Sequence, residues 1–290
     1  MMKRNPALQI FSNVTIMEIL KAGGERMADE RPIGVFDSGV GGVGTLMEMA
    51  RLMPQERFLF YGDTAHAPYG TKDRETVMGY VRGIMAHLLS RDVKAVAIAC
   101  NTATAVAAEA LRAEYDLPII GIEPALKPAH EMRHGGSILV LATPMTLRLE
   151  KFQRLMGQYG EGAVPLPCPG LMELVEQEAF EQAGRYLREH FSPYDLNHVD
   201  AVVLGCTHYV FLRPVLREIL PETVQVLDGN LGTARQLKRV LEEKGLLREA
   251  GEGSVTLETS GDAAIVLPQM RRLMARAEAI VQDRERNITK

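Results

Sequence analysis

The segment KAVAIACNTAT, residues 94–104, decides the fold of this chain. Its small and apolar residues 95–99 lead directly into Cys100, and the alanine-rich stretch AVAAEALRAEY follows at residues 105–115. A short continuous apolar run is typical of a strand buried on both faces, and the alanines favour a helix. Cys100 is therefore predicted at the carboxyl end of a strand and directly before a helix amino terminus. Unpaired N–H groups and the helix dipole favour anions there, so we expect them to lower the pKa of the thiol and to hold a carboxylate.

The same arrangement recurs at AVVLGCTH, residues 201–208, where an apolar strand leads into Cys206. A lone cysteine is usually a small buried hydrophobe, and we interpret Cys168, in the proline-bounded loop PLPCPG, in that way. Two cysteines at matching strand ends indicate a working pair instead. Redox partners usually occur as CxxC and a metal ion needs more ligands, so a pair of acid/base groups is the interpretation that remains. His208 and Asp37 are the expected partners of Cys206 and Cys100.

From Ile33 onward, short apolar strands alternate with helical stretches. This alternation predicts an α/β fold with mostly parallel sheets flanked by helices, and the repeated strand–cysteine unit predicts two similar halves. Active residues of such sheets lie in a crevice at the carboxyl ends of the strands, where both cysteines fall. The predicted strands cover residues 33–36, 57–61, 95–100, 118–122, 137–143, 201–206, 224–228 and 255–260.

The composition is that of an ordinary globular protein. Of its 290 residues 46% are apolar and 24% are charged, and the net charge is −4, so we expect neither nucleic-acid nor membrane-surface binding. Three cysteines do not form a disulfide framework, and no CxxC pair indicates zinc. No apolar run approaches the roughly 18 residues of a membrane span, and the first 30 residues do not have the pattern of a signal peptide. We therefore expect a cytoplasmic protein.

The glycine loop FDSGVGGVG, residues 36–44, also fits a different function. Gly39, Gly41 and Gly44 match the G-x-G-x-x-G pattern of dinucleotide-binding domains, and Asp63 follows at about the distance of a ribose-binding acid. A nicotinamide-linked oxidoreductase is therefore an alternative. Against it, Asp37 at the strand end would face the pyrophosphate unfavourably, and the paired cysteines would have no role.

A second loop, YGDTAHAPYG, covers residues 61–70. Its last residues, Pro68-Tyr69-Gly70, predict a turn that presents backbone N–H groups and a phenol to the crevice. A plain connection between two elements is an equally good interpretation of this loop from the residues alone.

Together these motifs resemble the glutamate racemase family, within the aspartate/glutamate racemase superfamily. The matching segments occur in consistent order between Ile33 and Asp262, which makes their combination highly specific. They are FDSGVGG (36–42), YGDTAHAPYG (61–70), ACNTAT (99–104), GIEPALKPA (121–129), LATPMT (141–146), CPGLMELVE (168–176), GCTHY (205–209) and TSGD (259–262).

The resemblance implies two α/β domains with the active site in the crevice between them. It also implies interconversion of L- and D-glutamate without pyridoxal phosphate, metal or another cofactor, with D-glutamate feeding peptidoglycan synthesis. Cys100 and Cys206 match the two catalytic cysteines, Asp37 and His208 match their respective helpers, and Glu176 matches a supporting acid near the second cysteine. The residues that match substrate-binding positions are Asp37, Ser38, Pro68, Tyr69, Gly70, Asn101, Thr102, Thr143, Thr207 and His208.

On the same basis we divide the chain into an amino-terminal extension, residues 1–31, a first domain, residues 32–122 plus 228–290, and a second domain, residues 123–227. The extension is similar in kind to that of family members activated by a cell-wall nucleotide precursor. The resemblance leaves such an activator, and a homodimer, open. The chain departs from the family at Val210, where proline is usual, and at Gly44 and Asn230-Leu231; none of these positions carries a reacting group.

Two further alternatives belong to other functional classes or substrates. A two-domain amino-acid-binding module would close on its ligand without chemistry, and proton exchange at the α-carbon separates it from a racemase. A sibling enzyme, such as an aspartate or hydantoin racemase, is separated by its substrate.

Overall fold

A computed structural model of the chain describes residues 29–288, with side chains described as far as residue 283. The described part contains two fully parallel sheets. The strands are β1 (Ile33–Asp37), β2 (Arg57–Gly62), β3 (Ala95–Ile98), β4 (Ile119–Gly121), β5 (Ser137–Ala142), β6 (Ala163–Pro167), β7 (Val199–Leu204), β8 (Gln225–Asp228) and β9 (Ser254–Thr259). Their order is β4-β3-β1-β2-β9 in the first sheet and β6-β5-β7-β8 in the second.

Helices connect most of the strands. They are α1 (Val43–Leu52), α2 (Arg74–Ser90), α3 (Asn101–Glu114), α4 (Leu126–Glu131), α5 (Pro144–Arg148), α6 (Glu150–Tyr159), α7 (Leu171–Glu176), α8 (Phe180–Phe191), α9 (Arg213–Ile219), α10 (Asn230–Lys244) and α11 (Ala263–Ile288). Short 3₁₀ turns cover Tyr69–Thr71, Leu196–His198 and Thr207–Leu212. None of the helices in this part of the chain is long and apolar enough to span a bilayer.

The predicted α/β fold with two similar parallel sheets is confirmed, and so is the position of each predicted strand. The central strands explain why the prediction succeeds. Every residue of β1 and β3 is buried, as expected for strands of a parallel sheet that carries helices on both faces. Uninterrupted apolar runs are the sequence signal of such strands.

Strand β6 was not expected from the sequence. Its segment AVPLP contains Pro165 and Pro167, and a proline cannot donate a ladder hydrogen bond. The strand pairs only with β5 and lies at the edge of the second sheet, where that lost donor is tolerated. The two prolines therefore indicated a loop from the sequence, whereas the segment forms an edge strand.

The second strand–cysteine unit also differs from the expectation. Cys100 is followed directly by α3, as predicted, but Cys206 is followed by a fully buried 3₁₀ turn, Thr207–Leu212, before α9 begins. Pro214 lies in the first turn of α9, where its missing N–H costs nothing, so the regular helix begins at Arg213 rather than after the cysteine.

The chain passes from the first sheet to the second after β4 and returns to the first sheet with β9. We therefore keep the domain boundaries near residues 122 and 228 as a proposal. Of the extension, only residues 29–31 lie within the described part, and the remainder of that prediction falls outside it. Asp29 is tied to the first sheet, because the buried Lys94 Nζ donates to its backbone carbonyl at 2.9 Å.

Candidate active site

Cys100 lies between the end of β3 and the first turn of α3, as predicted. Its Sγ accepts a hydrogen bond from the Ala103 N–H at 3.4 Å and so caps the helix. The thiol in turn donates to Ser38 Oγ, also at 3.4 Å. Only 5% of the residue is exposed, and both contacts fix the sulfur at the carboxyl edge of the first sheet.

The pKa of Cys100 is raised to about 12, so the expectation of a lowered value is wrong for this closed crevice. Burial is the main cause, and the negative charge of Asp37 adds to it. The hydrogen bonds with Ser38 and Ala103 act in the opposite direction but do not outweigh the lost solvation. Cys100 is therefore a protonated thiol at neutral pH, able to act as an acid.

Cys206 has a different set of partners, which come from the second sheet. Its Sγ lies 3.8 Å from His208 Nδ1, and His208 Nε2 lies 3.0 Å from Glu176 Oε1. Burial disfavours the imidazolium, but the hydrogen bonds to Cys206 and Glu176 outweigh it and raise the pKa of His208 well above its ordinary value. Burial also disfavours the charged form of Glu176 and so raises its pKa, but the hydrogen bond and the positive charge of His208 outweigh burial and leave that pKa lowered. An imidazolium–carboxylate pair thus stands behind Cys206.

The glycines of the first loop make room for this pair. A Cβ at Gly41 would lie 2.5 Å from His208 Nδ1, and one at Gly39 would lie 2.7 Å from Glu176 Oε1. These side chains of the second sheet occupy the space over the loop that a pyrophosphate would need. The glycine pattern therefore reflects close approach of the two sheets, which argues against the dinucleotide-binding alternative.

Most of the predicted site residues line one narrow crevice between the two sheets. Tyr69 and Gly70 come from the second loop, and the two thiols lie in the same crevice with their neighbours along the chain. The full lining is Ser38, Tyr69, Gly70, Cys100, Asn101, Thr102, Thr143, Met172, Gly205, Cys206, Thr207 and His208.

Three threonine hydroxyls join the walls of the crevice. Thr102, from the first sheet, lies with its Oγ1 3.1 Å from Thr146 Oγ1, and Thr146 Oγ1 is 2.9 Å from Thr143 Oγ1. The Thr143 hydroxyl also accepts from the Thr146 N–H at 3.2 Å and caps α5. Thr102 and Thr143 were predicted as substrate contacts, and the structure brings them together through Thr146.

Three predicted residues lie next to the crevice rather than on its wall. Asp37 is fully buried beneath it, accepting from Thr207 Oγ1 at 3.3 Å and from the Gly39 N–H at 3.1 Å. Burial raises the pKa of Asp37, although the positive charge of His208 opposes the shift. Glu176 stands behind His208, and Pro68 precedes the 3₁₀ turn that carries Tyr69. Their predicted contacts with a substrate stay predictions.

The sequence did not single out two residues of the lining, Met172 and Gly205. Both lie within segments of the family resemblance, CPGLMELVE and GCTHY, but neither carries a reacting group. A Cβ at Gly205 would lie 2.8 Å from the Leu141 carbonyl oxygen, so this position has no room for a side chain. Cys168, read as a packing residue, is buried and its thiol donates to the Leu166 carbonyl at 3.4 Å.

The unusual residues of the chain lie together. A Cβ at Gly44 would lie 2.9 Å from Val210 Cγ1 and 3.5 Å from Asn230 Nδ2. Asn230 Oδ1 in turn accepts from Thr45 Oγ1 at 2.8 Å. The three departures from the family pattern are therefore one contact between α1, α10 and the 3₁₀ turn after Cys206, and they leave both thiols in place.

Within residues 29–288, no three His, Cys, Asp or Glu side chains are grouped so that they could hold a metal ion. The two thiols, with the His208–Glu176 pair behind Cys206, are groups that can take up and release protons. Their arrangement suits proton removal on one side of a ligand and proton delivery on the other.

Comparisons with known proteins agree with this geometry. The family model described as Asp/Glu/Hydantoin racemase matches residues 45–237. A glutamate racemase of Clostridium botulinum is 48% identical over 237 residues, which are 80% of this chain and 92% of the relative. One from Bifidobacterium adolescentis is 47% identical over 258 residues, 86% of this chain and 100% of the relative.

Solved structures show the same fold. The glutamate racemase of Thermus thermophilus, in complex with beta-chloro-D-alanine, has a TM-score of 0.75 and 34% identity, covering 85% of this chain and 94% of that one. The Escherichia coli enzyme, in complex with L-glutamate and the activator UDP-MurNAc-ala, has a TM-score of 0.73 and 28% identity, covering 85% and 95%. The fold, the crevice and the matched length together show that this chain belongs to the Asp/Glu/hydantoin racemase family.

Proposed function

We propose that the protein interconverts L- and D-glutamate by proton transfer between two thiols, without a cofactor. The observation that carries the proposal is the shared crevice: Cys100 comes from the first sheet, Cys206 from the second, and both line the same narrow space. Curated relatives at 47% and 48% identity are glutamate racemases, which supports glutamate as the substrate.

Inversion of the α-carbon requires a base on one face and an acid on the other. With L-glutamate bound, the Cys206 thiolate removes the α-proton and becomes a thiol, and the electron pair stays on the α-carbon and its carboxylate. The Cys100 thiol then donates its proton to the opposite face and becomes a thiolate, which releases D-glutamate. The reverse sequence, starting from the Cys100 thiolate and the Cys206 thiol, converts D- to L-glutamate.

The surroundings of the two thiols fit these roles. The high pKa of Cys100 keeps it protonated, which is the form that L-glutamate needs. The imidazolium of His208 stabilises the Cys206 thiolate before it takes up the α-proton, and Glu176 holds that imidazolium in place. The ammonium group of a bound substrate would add a positive charge near Cys100 and so ease formation of its thiolate in the other direction.

Backbone N–H groups near Ser38, Asn101 and Thr207 are the proposed site of the α-carboxylate. They lie at the carboxyl ends of β1, β3 and β7, where the N–H groups at the start of a following helix or turn favour an anion. Donors at this position also stabilise the charge that develops on the carboxylate when the proton leaves. The crevice volume of about 10 Å³ is at the lower limit for holding a single water molecule, so we propose that the crevice widens when glutamate binds.

The biological setting follows from this activity. We propose that the protein works in the cytoplasm and supplies D-glutamate for peptidoglycan synthesis. Because the E. coli relative was solved with the activator UDP-MurNAc-ala, a nucleotide precursor of the cell wall is a candidate activator here as well. A homodimer is likewise a proposal.

The direct test is chiral chromatography of purified protein incubated with L-glutamate and no added cofactor. We expect D-glutamate to accumulate to an equal mixture, Cys100→Ala and Cys206→Ala to abolish the reaction, and Cys168→Ala to retain most of it as the matched buried thiol. Bound but unchanged glutamate would favour the binding-module alternative. Racemisation of aspartate or a hydantoin in place of glutamate would identify a sibling enzyme.

A further inference from the structure

A chain of three side chains leads from the crevice wall to the protein surface. The Tyr69 hydroxyl donates to Asp63 Oδ2 at 2.5 Å, and Asp63 Oδ1 lies 2.8 Å from His66 Nδ1. Tyr69 lines the crevice beside Cys100, and Asp63 is only 2% exposed. The His66 side chain is 43% exposed, so the chain ends in solvent.

Asp63 needs these partners, because a buried carboxylate without hydrogen bonds is strongly destabilising. The contact also determines what Tyr69 can do. Burial and the hydrogen bond to Asp63 both raise the pKa of Tyr69 above its ordinary value, so the phenol stays neutral and its O–H remains directed at the carboxylate. Tyr69 therefore acts as an anchor in the crevice wall rather than as an acid.

The loop between Asp63 and Gly70 is held at its start by the turn after β9. Thr64 Oγ1 lies 2.8 Å from Thr259 Oγ1, and the Ala65 N–H donates to Ser260 Oγ at 3.0 Å. The TSGD motif, which the proposed chemistry does not use, thus fastens this loop to the first sheet.

The other end of the loop touches the second sheet. A Cβ at Gly70 would lie 3.2 Å from Thr143 Cβ, so the Tyr69–Gly70 turn reaches the opposite wall of the crevice. His66 stacks on Tyr80 of α2, with ring centroids 4.0 Å apart, which fixes the imidazole against that helix. Tyr80 also stacks on Tyr69, with ring centroids 5.8 Å apart, and the Tyr69–Asp63–His66 chain adds a hydrogen-bonded link between the same helix and the turn.

We propose that Asp63 and His66 are positioning residues: through Tyr69 they hold the Tyr69–Gly70 turn at the distance from Thr143 that glutamate binding needs. This inference rests on the proposed function, since it assigns the turn to the substrate site. In a dinucleotide-binding protein Asp63 would bind a ribose. The proposal gives it a different role, as a support of the crevice wall.

The test compares Tyr69→Phe, Asp63→Asn and His66→Ala with the control Tyr80→Phe, which removes a neighbouring phenol hydroxyl that does not contact Asp63. Tyr69→Phe removes the hydrogen bond to Asp63, and Asp63→Asn replaces its carboxylate acceptor by a weaker amide oxygen. We therefore expect both variants to raise KM for glutamate, Tyr69→Phe about tenfold, with a much smaller change in kcat. The double variant Tyr69→Phe/Asp63→Asn should raise KM no further than the more affected single variant, because both changes act on the same link. His66→Ala changes an exposed position and should also raise KM. It provides the test if Asp63→Asn does not fold.

Three results would overturn the proposal: unchanged KM in all three variants, a fall in kcat at constant KM, or fully additive effects in the double variant. Calorimetric Kd values for L-glutamate separate this inference from the proposed function. Wild-type protein that binds glutamate without racemising it would contradict the proposed function, and a tenfold weaker Kd in Tyr69→Phe would still support the positioning role. Wild-type protein that neither binds nor racemises glutamate would overturn both.

Discussion

Replacement of Glu176 by glutamine tests whether the pair behind Cys206 takes part in catalysis. The change removes the negative charge that lies 3.0 Å from His208 Nε2 and helps raise the pKa of that imidazole. Hydrogen bonds to charged groups contribute about 1.5–3 kcal/mol, which corresponds to roughly 10- to 150-fold in rate. Glutamine still offers an oxygen acceptor, so we expect a loss near tenfold in kcat/KM, and a larger one for Glu176→Ala.

The assay is racemisation measured by circular dichroism in both directions as a function of pH. L- and D-glutamate have equal free energy, so kcat/KM must fall by the same factor in the two directions. The direction-specific signal is the kinetic isotope effect, which should rise for α-deuterated L-glutamate because Cys206 removes that deuteron. Because its pKa is raised, His208 is an imidazolium at neutral pH and loses its proton only as the pH rises through that value. Glu176→Gln removes one cause of the raised pKa, so it should move the basic limb of the profile to lower pH.

Glu173→Gln is the matched control, one turn earlier in α7 and outside the crevice lining. It should leave kcat/KM, the isotope effects and the basic limb unchanged. Equal losses in the two variants, or a Glu176→Gln variant with wild-type activity and an unshifted basic limb, would refute the role assigned to the His208–Glu176 pair.

Three further outcomes are expected. Gly41→Ala should abolish racemisation, because its Cβ would lie 2.5 Å from His208 Nδ1. The control Gly79→Ala, where nothing lies within 4 Å, should raise Tm slightly and keep activity. Equal activity in the two variants would contradict the close approach of Gly41 to His208. Alkylation of Cys100 by iodoacetamide, followed by peptide mass spectrometry, should rise about tenfold per pH unit between pH 7 and 9.5, since its pKa is about 12, and a plateau below pH 9 would be inconsistent with that value. Deletion of residues 1–26 should leave a folded, basally active protein, because Asp29 and its contact with Lys94 are retained; an insoluble product would place the extension in the core.

The sequence predicts the fold well because the decisive signals are local. The apolar runs before Cys100 and Cys206 mark strands buried on both faces, and both thiols lie at strand carboxyl ends, as expected. Strand β6 could not be predicted in the same way, because its prolines indicate a loop unless the neighbouring strand is known.

The sequence predicts that most of the site residues meet at one crevice, but it does not predict the electrostatics of that crevice. A helix amino terminus next to Cys100 indicated a lowered pKa, yet burial by the opposite sheet decides the sign of the shift, and burial is a property of the assembled crevice. The approach of Gly41 to His208 and the bond of Tyr69 to Asp63 have the same character. The first joins the two sheets and the second joins separate parts of one loop, and no periodicity in the chain encodes either contact.

The most direct test of the two-thiol account is deuterium incorporation from D₂O at low conversion of L-glutamate, read by mass spectrometry after chiral separation. A separate base and acid predict that the D-glutamate formed carries one solvent deuteron at the α-carbon, while the L-glutamate that remains is unlabelled. The abstracted proton stays on Cys206, and the new deuteron comes from Cys100. Deuterium appearing in the remaining L-glutamate as fast as in the product, or product that retains the original proton, would show that a single group serves both faces and would contradict the account.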